Sequence, residues 1–366
     1  MQHTVLTSKE NNNKLKVRLI AFYLPQFHPI PENNRWWEDG FTEWTHVKRA
    51  RPLFVGHYQP RVPGELGYYN LLDPKVRKKQ AKIAKKYGIE GFSYWHYWFG
   101  GGKRLLEKPF QEVLKSGAPD FPFCLSWANH SWTGIWYGCP NRTLIKQTYP
   151  GTEDHKKHFY AVLDAFKDPR YLKVNGKPLF LVYKPAHIPD SVQFTGLWRN
   201  LARKEGLKGI YFIAISEMRP RWDPKKLGYD ALTVTNLGKI IHAGKKRVKK
   251  SKRRFLNQWG RVYLYRNAMK YSIENLPKGV PYYPTVIPNW DNTPRSELRG
   301  VVLHDSRPEF FKEQIERAGN KVIRRRPEKR IIFIKSWNEW GEGNYLEPDQ
   351  RFGLAYLKAI KEFLQS

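Results

Sequence analysis

Residues 331–350 read IIFIKSWNEWGEGNYLEPDQ, an apolar run followed by Trp337, Glu339, Trp340, Glu342 and Glu347 within eleven residues. Ile331, Ile332, Phe333 and Ile334 form an unbroken apolar stretch, which suits a strand covered on both faces more than one half open to water. Such strands belong to parallel sheets, and α/β proteins place their ligand sites just beyond the carboxyl ends of those strands. The glutamates fall there. Whether the sheet is a closed barrel or part of a two-domain protein is left open by the length of 366 residues.

The rest of the chain decides it. RLIAFYLPQFHP starts as a strand that ends at Pro25. DPKVRKKQAKIAKKYG then has Asp73 as N-cap, Pro74 at the first helical position, Val76, Ile83, Ala84 and Tyr87 on one face, and Gly88 as the stop. IEGFSYWHYW follows as the second strand, and FPFCLSWANHSW as the third after a helical stretch from Lys103 to Lys115. The alternation continues through a helix near Glu153 to Phe166, LFLVYKP, SVQFTGLWRNLARKEG, IYFIAISE, ALTVTN, YYPTVIPNW and IIFIKSWNEW, with a last helix over Phe352 to Leu364. Eight strands separated mostly by helices predict a single (β/α)8 TIM-type barrel over 17–366, after a polar leader at 1–16 and with a basic insertion at about 239–270 following the sixth strand. No internal repeat or linker divides the chain.

In that frame the strand ends share one rim. They carry Gln26 and His28; Trp95, His96 and Trp98; Trp127, Asn129 and His130; Lys184 and His187; Glu217; Asn236; Asn289, Trp290 and Asp291; then Glu339 and Glu342. A single polar residue at a strand end is most often a cap or a loop hydrogen bond. The accumulation of polar and aromatic groups on one face describes a carbohydrate cleft better than a phosphate cradle. The composition agrees: 15% of residues are aromatic, including 14 Trp and 21 Tyr, and aromatic faces stack on sugar rings. Trp36, Trp37, Asp39, Glu43 and Trp44, in NNRWWEDGFTEWTHV after the first strand, would add a sugar subsite, core packing being the plain alternative for the tryptophans.

SWNEWGEGN carries the chemistry. Two carboxyl groups three residues apart, leaving a strand into a Gly-containing loop, can face one cavity, where repulsion and unequal burial separate their proton affinities. Breaking a glycosidic bond needs that division, a proton for the leaving oxygen and a carboxylate at the sugar ring. Glu339 and Glu342 are therefore expected together in the largest cleft at the carboxyl-terminal mouth, with Trp337, Asn338, Trp340 and Glu347 around the substrate. The competing reading is a buried ion pair with one of the many arginines.

The segment IKSWNEWGEGNYLEP resembles the catalytic signature of glycoside hydrolase family 99. AFYLPQFHPIPENNRWWEDGFTEWTHV, GFSYWHYWF and LSWANHSWTGIW look closer still to the WbsX-type, family-99-like glycosyltransferases of bacterial surface polysaccharide biosynthesis, over about Arg18 to Leu364. The resemblance implies a (β/α)8 barrel. It also implies that Glu339 assists the sugar's own 2-hydroxyl as nucleophile, through an anhydro-sugar intermediate, and that Glu342 is the general acid/base. The pattern departs from family 99 hydrolases at Gly341, where they carry histidine, and at Asn344 and Tyr345.

His28, His96 and His130 lack the spacing of a metal site, FGGGKR at 99–104 lacks Walker spacing, and no cofactor or metal is expected. Cys124 and Cys139 read as reduced thiols. The start lacks the apolar core of a signal peptide and no stretch reaches the ~20 apolar residues of a membrane span, so a cytoplasmic protein is expected, at most peripheral on the inner face of the membrane. The formal charge of +32, from 65 Lys and Arg against 33 Asp and Glu, points to an anionic partner. The tract from Lys239 to Lys270 has no acidic residue and interleaves Phe255, Trp259, Tyr263 and Tyr265, the pattern of a segment that lies on anionic membranes. Nucleic acid is disfavoured, because no helix-turn-helix, zinc-finger or RNA-binding signature accompanies the charge. Three function classes follow: an enzyme making or remodelling a glycosidic bond in O-antigen or capsule-like (lipopolysaccharide-type) assembly, on a free or lipid-linked carbohydrate; an endo-acting α-mannosidase-type hydrolase; and a polyanion-binding protein.

Overall fold

The computed structural model describes residues 17–134, 139–216, 223–234, 237, 261–273 and 281–366. The 331–334 stretch is a strand with all four side chains buried and a hydrogen-bonded strand on either side. In chain order the barrel strands are β1 (Arg18–Tyr23), β2 (Gly91–Trp98), β3 (Phe123–Trp127), β4 (Lys177–Val182), β5 (Tyr211–Ser216), β6 (Ala231–Val234), β7 (Tyr282–Val286) and β8 (Ile331–Ile334). Each pairs in parallel with the next, and β8 returns to β1 with Arg18 opposite Ile331, which closes the sheet. Closure leaves no exposed edge and requires an apolar run in every strand, which is why these segments read as continuous rather than alternating.

The crossover helices are Pro74–Lys86, Lys108–Ser116, Thr152–Lys167, Ser191–Lys204, Pro308–Val322 and Ala355–Gln365. The 3-10 turn Pro224–Leu227 follows β5, and the short helix Tyr265–Met269 lies between β6 and β7. The Asp73 carboxylate accepts the Lys75 N–H at 2.8 Å and caps the first helix, as its position before Pro74 predicts. That helix also buries Arg77 and Gln80, two polar residues outside its predicted apolar face.

Inside the barrel Phe22 stacks on Trp95 at 5.0 Å and on Phe333 at 5.5 Å, an aromatic floor under the carboxyl-terminal mouth. Arg18, at the start of β1, donates to the Glu328 carbonyl, so the basic stretch RRRPEKR at 324–330 sits at the opposite, amino-terminal end. Cys124 is buried, Cys139 is exposed, and the two are not joined. Among the described residues no helix is long and apolar enough to cross a membrane. The leader at 1–16, Glu217, Asn236 and the tract at 239–260 lie outside the described residues. Arg261–Leu264, which follow that tract, pair in parallel with Val301–His304 in a two-stranded sheet apart from the barrel.

Candidate active site at the barrel mouth

The segment after β8 makes a tight hairpin, with Asn338–Glu339 antiparallel to Asn344–Tyr345 and one 3-10 turn at Trp340–Glu342 between them. The Asn338 amide accepts the Leu24 N–H at 2.7 Å and donates to the Leu24 carbonyl at 3.0 Å, which locks the hairpin onto the end of β1. Below it Trp340 stacks on Tyr345 at 3.7 Å. The hairpin therefore presents Glu339 and Glu342 to the mouth from a fixed backbone.

Both glutamates line a cleft of about 260 Å³, with Leu24, Gln26, Trp37, Trp95, Tyr97, His130, Trp132, Tyr183, Arg295 and Lys335 among the other walls. The cleft is not the largest, a correction to the expectation: a groove of about 620 Å³ runs between the outer helices Lys108–Ser116 and Thr152–Lys167. That groove lies away from the glutamates and the strand ends. Lys335, the residue directly after β8, places its Nζ 3.3 Å from Glu339 Oε2 and 3.5 Å from Glu342 Oε2, so the two oxygens lie no further apart than the sum of these distances. Burial pushes the Glu339 carboxyl up to about 7; Glu342 adds to the rise, and Lys335 and Arg295 oppose it. Burial works against the charge on Lys335, but Glu339 and Glu342 outweigh it and raise its proton affinity. The Lys335 ammonium also sits over the Trp290 ring at 5.2 Å.

Arg295 forms the other wall. Its Nη1 donates to Glu342 Oε1 at 2.8 Å and its Nε to Glu43 Oε1 at 2.7 Å. Glu43 is fully buried behind the cleft, so it holds Arg295 rather than a sugar. Gly341 explains itself here: a Cβ at this position would lie 1.7 Å from Glu43 Oε1 and 2.9 Å from Arg295 Nε. The space that a side chain at 341 would fill belongs to the Glu43–Arg295 pair.

Of the sugar-contact residues expected from sequence, Trp37, Trp95 and His130 line the cleft with the two glutamates. Trp36 is half-buried and meets the cleft residue Trp132 edge-on at 6.0 Å, and Asp39 is exposed away from the lining. The others stand behind the walls, corrections with one main cause, since neighbouring strand residues point to opposite faces. Trp95 and Tyr97 face the mouth, whereas His96 turns to His158 at 2.8 Å and Trp98 donates to Asp154 at 3.0 Å, both on the helix layer. Trp127 donates to the Trp98 carbonyl, Asn129 to the Tyr149 hydroxyl and the Lys184 carbonyl, and Trp44 to the Tyr69 carbonyl. Trp337, Asn338 and Trp340 are buried in the hairpin, and Trp290 is buried under Lys335. Asp291 is buried against His57 and Gln59, each at 2.8 Å.

Of the remaining rim residues, His28 bonds the Pro25 carbonyl, Asn289 braces Tyr345, and His187 is exposed. Gln26 does reach the lining, and its Nε2 is buried without a partner among the described residues. A buried donor left open at a cleft wall suits a ligand hydroxyl. Sequence reasoning missed Tyr97, Trp132, Tyr183, Lys335 and Arg295. Lys335 had a local signal, four residues before Glu339 at the end of the deciding strand; Arg295 had none.

Glu347 is a brace rather than a contact. Its carboxylate accepts from Trp340 Nε1 at 2.7 Å, Gln80 Nε2 at 2.6 Å and the Tyr69 hydroxyl at 2.9 Å. Burial pushes it up to about 7 against the lowering effect of these donors. Glu347→Leu removes the acceptor that Trp340, Gln80 and Tyr69 share. It should lower unfolding stability by about 1–3 kcal/mol for each buried donor left unmet, as read by denaturant titration. Unchanged stability would show that the brace is not needed.

The comparisons follow this geometry. A solved structure of a family 99 endo-α-mannosidase from Bacteroides thetaiotaomicron, in complex with Bis-Tris propane, superposes with a TM-score of 0.55 at 16% identity, covering 94% of this chain and 95% of that one. A structure described as a glycoside hydrolase-like protein gives 0.60 at 16% identity, covering 99% and 97%. Both share the barrel fold. Two proteins named WxcX, from Xanthomonas campestris pv. campestris strains B100 and ATCC 33913, are 37% identical over 355 residues. The match takes in 96% of this chain, which spans about half the length of these curated relatives. Residues 19–360 match the family described as Glycosyltransferase WbsX, and the chain belongs to that family.

Proposed function

We propose that the mouth of the barrel is the active site of a carbohydrate-active enzyme that makes or remodels a glycosidic bond in bacterial surface polysaccharide assembly. The observation that carries this reading is the pair of carboxyl groups, Glu339 and Glu342, sharing the Lys335 ammonium in an aromatic-walled cleft. Glu339 accepts the proton of the sugar 2-hydroxyl as that oxygen attacks the anomeric carbon. The bond to the leaving oxygen breaks, and Glu342 supplies its proton. The anhydro-sugar is then opened by a hydroxyl whose proton returns to Glu342, while Glu339 gives its proton back to O2. Water as the opening hydroxyl gives hydrolysis; a second sugar gives transfer. Trp37, Trp95 and Trp132 offer faces for the rings and Gln26 a donor for a hydroxyl.

The test is product identity. Purified protein is incubated with nucleotide-sugars, lipid-linked acceptors and mannan oligosaccharides, and products are read by mass. Chain extension or transfer fits the proposal, release of mannosyl fragments to water selects α-mannosidase-type hydrolysis, and an unchanged panel counts against an enzyme.

Glu339 also fixes the pH dependence. As a base it must be ionised, so kcat/KM should rise with pH through about 7. The step belongs to the coupled pair rather than to one residue. Because Lys335 lowers this proton affinity, Lys335→Met should move the rising limb to higher pH. A limb that falls through pH 7 would instead make Glu339 the proton donor.

The tract at 239–260 is proposed to hold the enzyme on an anionic membrane where its acceptor is carried; Tyr263 and Tyr265, grouped with it from sequence, are a correction, since both are buried in a cluster with Ile287 and Trp290 and cannot face a membrane. Neutralising Lys245, Lys246, Arg247, Lys249, Lys250, Lys252, Arg253 and Arg254 should abolish binding to anionic vesicles, at about 1 kcal/mol per residue, and spare soluble-substrate activity. Tight duplex DNA binding without vesicle binding, at one physiological ionic strength, would overturn this.

A further inference from the structure

A second cavity, about 180 Å³, opens on the same end of the barrel, between the segments that follow β1, β7 and β8. Its inner wall holds Arg61, which is 4% exposed and keeps donors unused. Arg61 Nη1 is 3.5 Å from the Tyr345 hydroxyl, its Nη2 is 4.0 Å from Asp291, and its Nε has no partner among the described residues. Asp291 is already committed, since it accepts from His57, Gln59 and both the N–H and the hydroxyl of Thr293. His57 Nδ1 accepts the Leu53 N–H, which leaves Nε2 as the donor to Asp291. The mouth carries Arg351, exposed, with its guanidinium 4.7 Å from the centre of the Tyr58 ring that Arg61 also contacts at 5.2 Å. Among the described residues no carboxylate comes within 4.0 Å of Arg351, and Asp305 on the cavity wall is held by Arg307 at 2.7 Å.

A buried guanidinium with unused donors is costly unless an anion meets it, and its planar fork matches the oxygens of phosphate and carboxylate. The cavity also adjoins the cleft. The Asp291 N–H donates to the Glu342 carbonyl at 2.7 Å, and the Asp291 carboxylate accepts from the N–H and hydroxyl of Thr293, the first residue of the turn that carries Arg295. Barrels commonly seat phosphate groups between the loops after their seventh and eighth strands.

We infer that the Arg61–Arg351 cavity is an oxyanion subsite, taking a phosphoryl or carboxylate group of the substrate beside the glycosidic cleft. The inference does not depend on the roles of Glu339 and Glu342, and binding alone tests it. The full chain is titrated with inorganic phosphate, with glucuronate and with glucose at constant ionic strength, by calorimetry and thermal unfolding. The same is done with the basic residues from Lys245 to Arg254 neutralised, to remove diffuse anion binding. One of the two anions should bind at a single site and raise the melting temperature with and without the tract, and glucose should not; which anion does so names the group.

Arg351→Gln should weaken that binding about 10-fold or more, the scale of one charge-assisted contact. Arg61→Met should abolish it while leaving the anion-free protein at least as stable as wild type, which a merely structural Arg61 would not. If Arg61→Met fails to fold, the subsite stands or falls on Arg351→Gln, which changes an exposed side chain. Failure of both anions to bind, or equal binding by wild type and Arg351→Gln, would overturn the subsite.

Discussion

Glu342→Gln should lower turnover by about 100-fold or more on a substrate with a poor leaving group, the scale of general acid catalysis. The amide keeps the shape and its contact with Arg295 but has no proton to give. A good leaving group needs no such proton, so the loss should shrink on an activated substrate. Glu339→Gln should be as damaging on both substrates, because no leaving group replaces a base at the 2-hydroxyl. It carries a second signature. Glu339 titrates near 7 in the folded protein, above the ordinary carboxylate value of 4.5. Its favourable contribution is therefore complete below pH 4.5 and lost as pH rises through 7. Glu339→Gln should flatten that part of the stability–pH curve and leave the variant more stable than wild type at pH 8, a trade often found at catalytic sites. Near wild-type turnover in both variants removes the pair from the chemistry.

The second large effect is on folding. Arg295→Met removes the cation that faces Glu43, a carboxylate with no exposure and one oxygen already unmet. A buried charge stripped of its partner costs about 3–5 kcal/mol. The double variant Glu43→Gln with Arg295→Met should recover much of that loss, and the cycle measures the coupling. If the single variant is as stable as wild type, Arg295 serves the cleft alone. Gly341→Ala presses on the same pair from the hairpin and should be destabilising too.

The barrel was legible because closure demands an apolar run in every strand. Ile331–Ile334, Leu179–Val182 and Tyr211–Ile215 announce themselves, and Asp73–Pro74 and Gly88 punctuate a helix by their own backbone chemistry. The carboxyl pair was legible for a related reason, since a strand end followed by Gly-containing sequence must turn at the mouth. The lining was less so. Counting every aromatic at a strand end ignored alternation, and therefore took His96 and Trp98 with Trp95 and missed Tyr97. Glu43, Arg295 and Gly341 form one unit from three distant segments, and nothing local to any of them signals the others. Lys335 sat in plain view as the only charged residue between the apolar run and Trp337, but its contact with both glutamates needs the hairpin geometry.

The most direct measurement is a structure of Glu339→Gln bound to whichever oligosaccharide the product panel identifies. The paired-carboxyl mechanism predicts an anomeric carbon between residues 339 and 342, the 2-hydroxyl against residue 339, the glycosidic oxygen within hydrogen-bond reach of Glu342, and sugar rings on Trp37, Trp95 or Trp132. A sugar bound with its anomeric carbon outside the reach of both residues, in the Arg61–Arg351 cavity or along the outer helices, would contradict it.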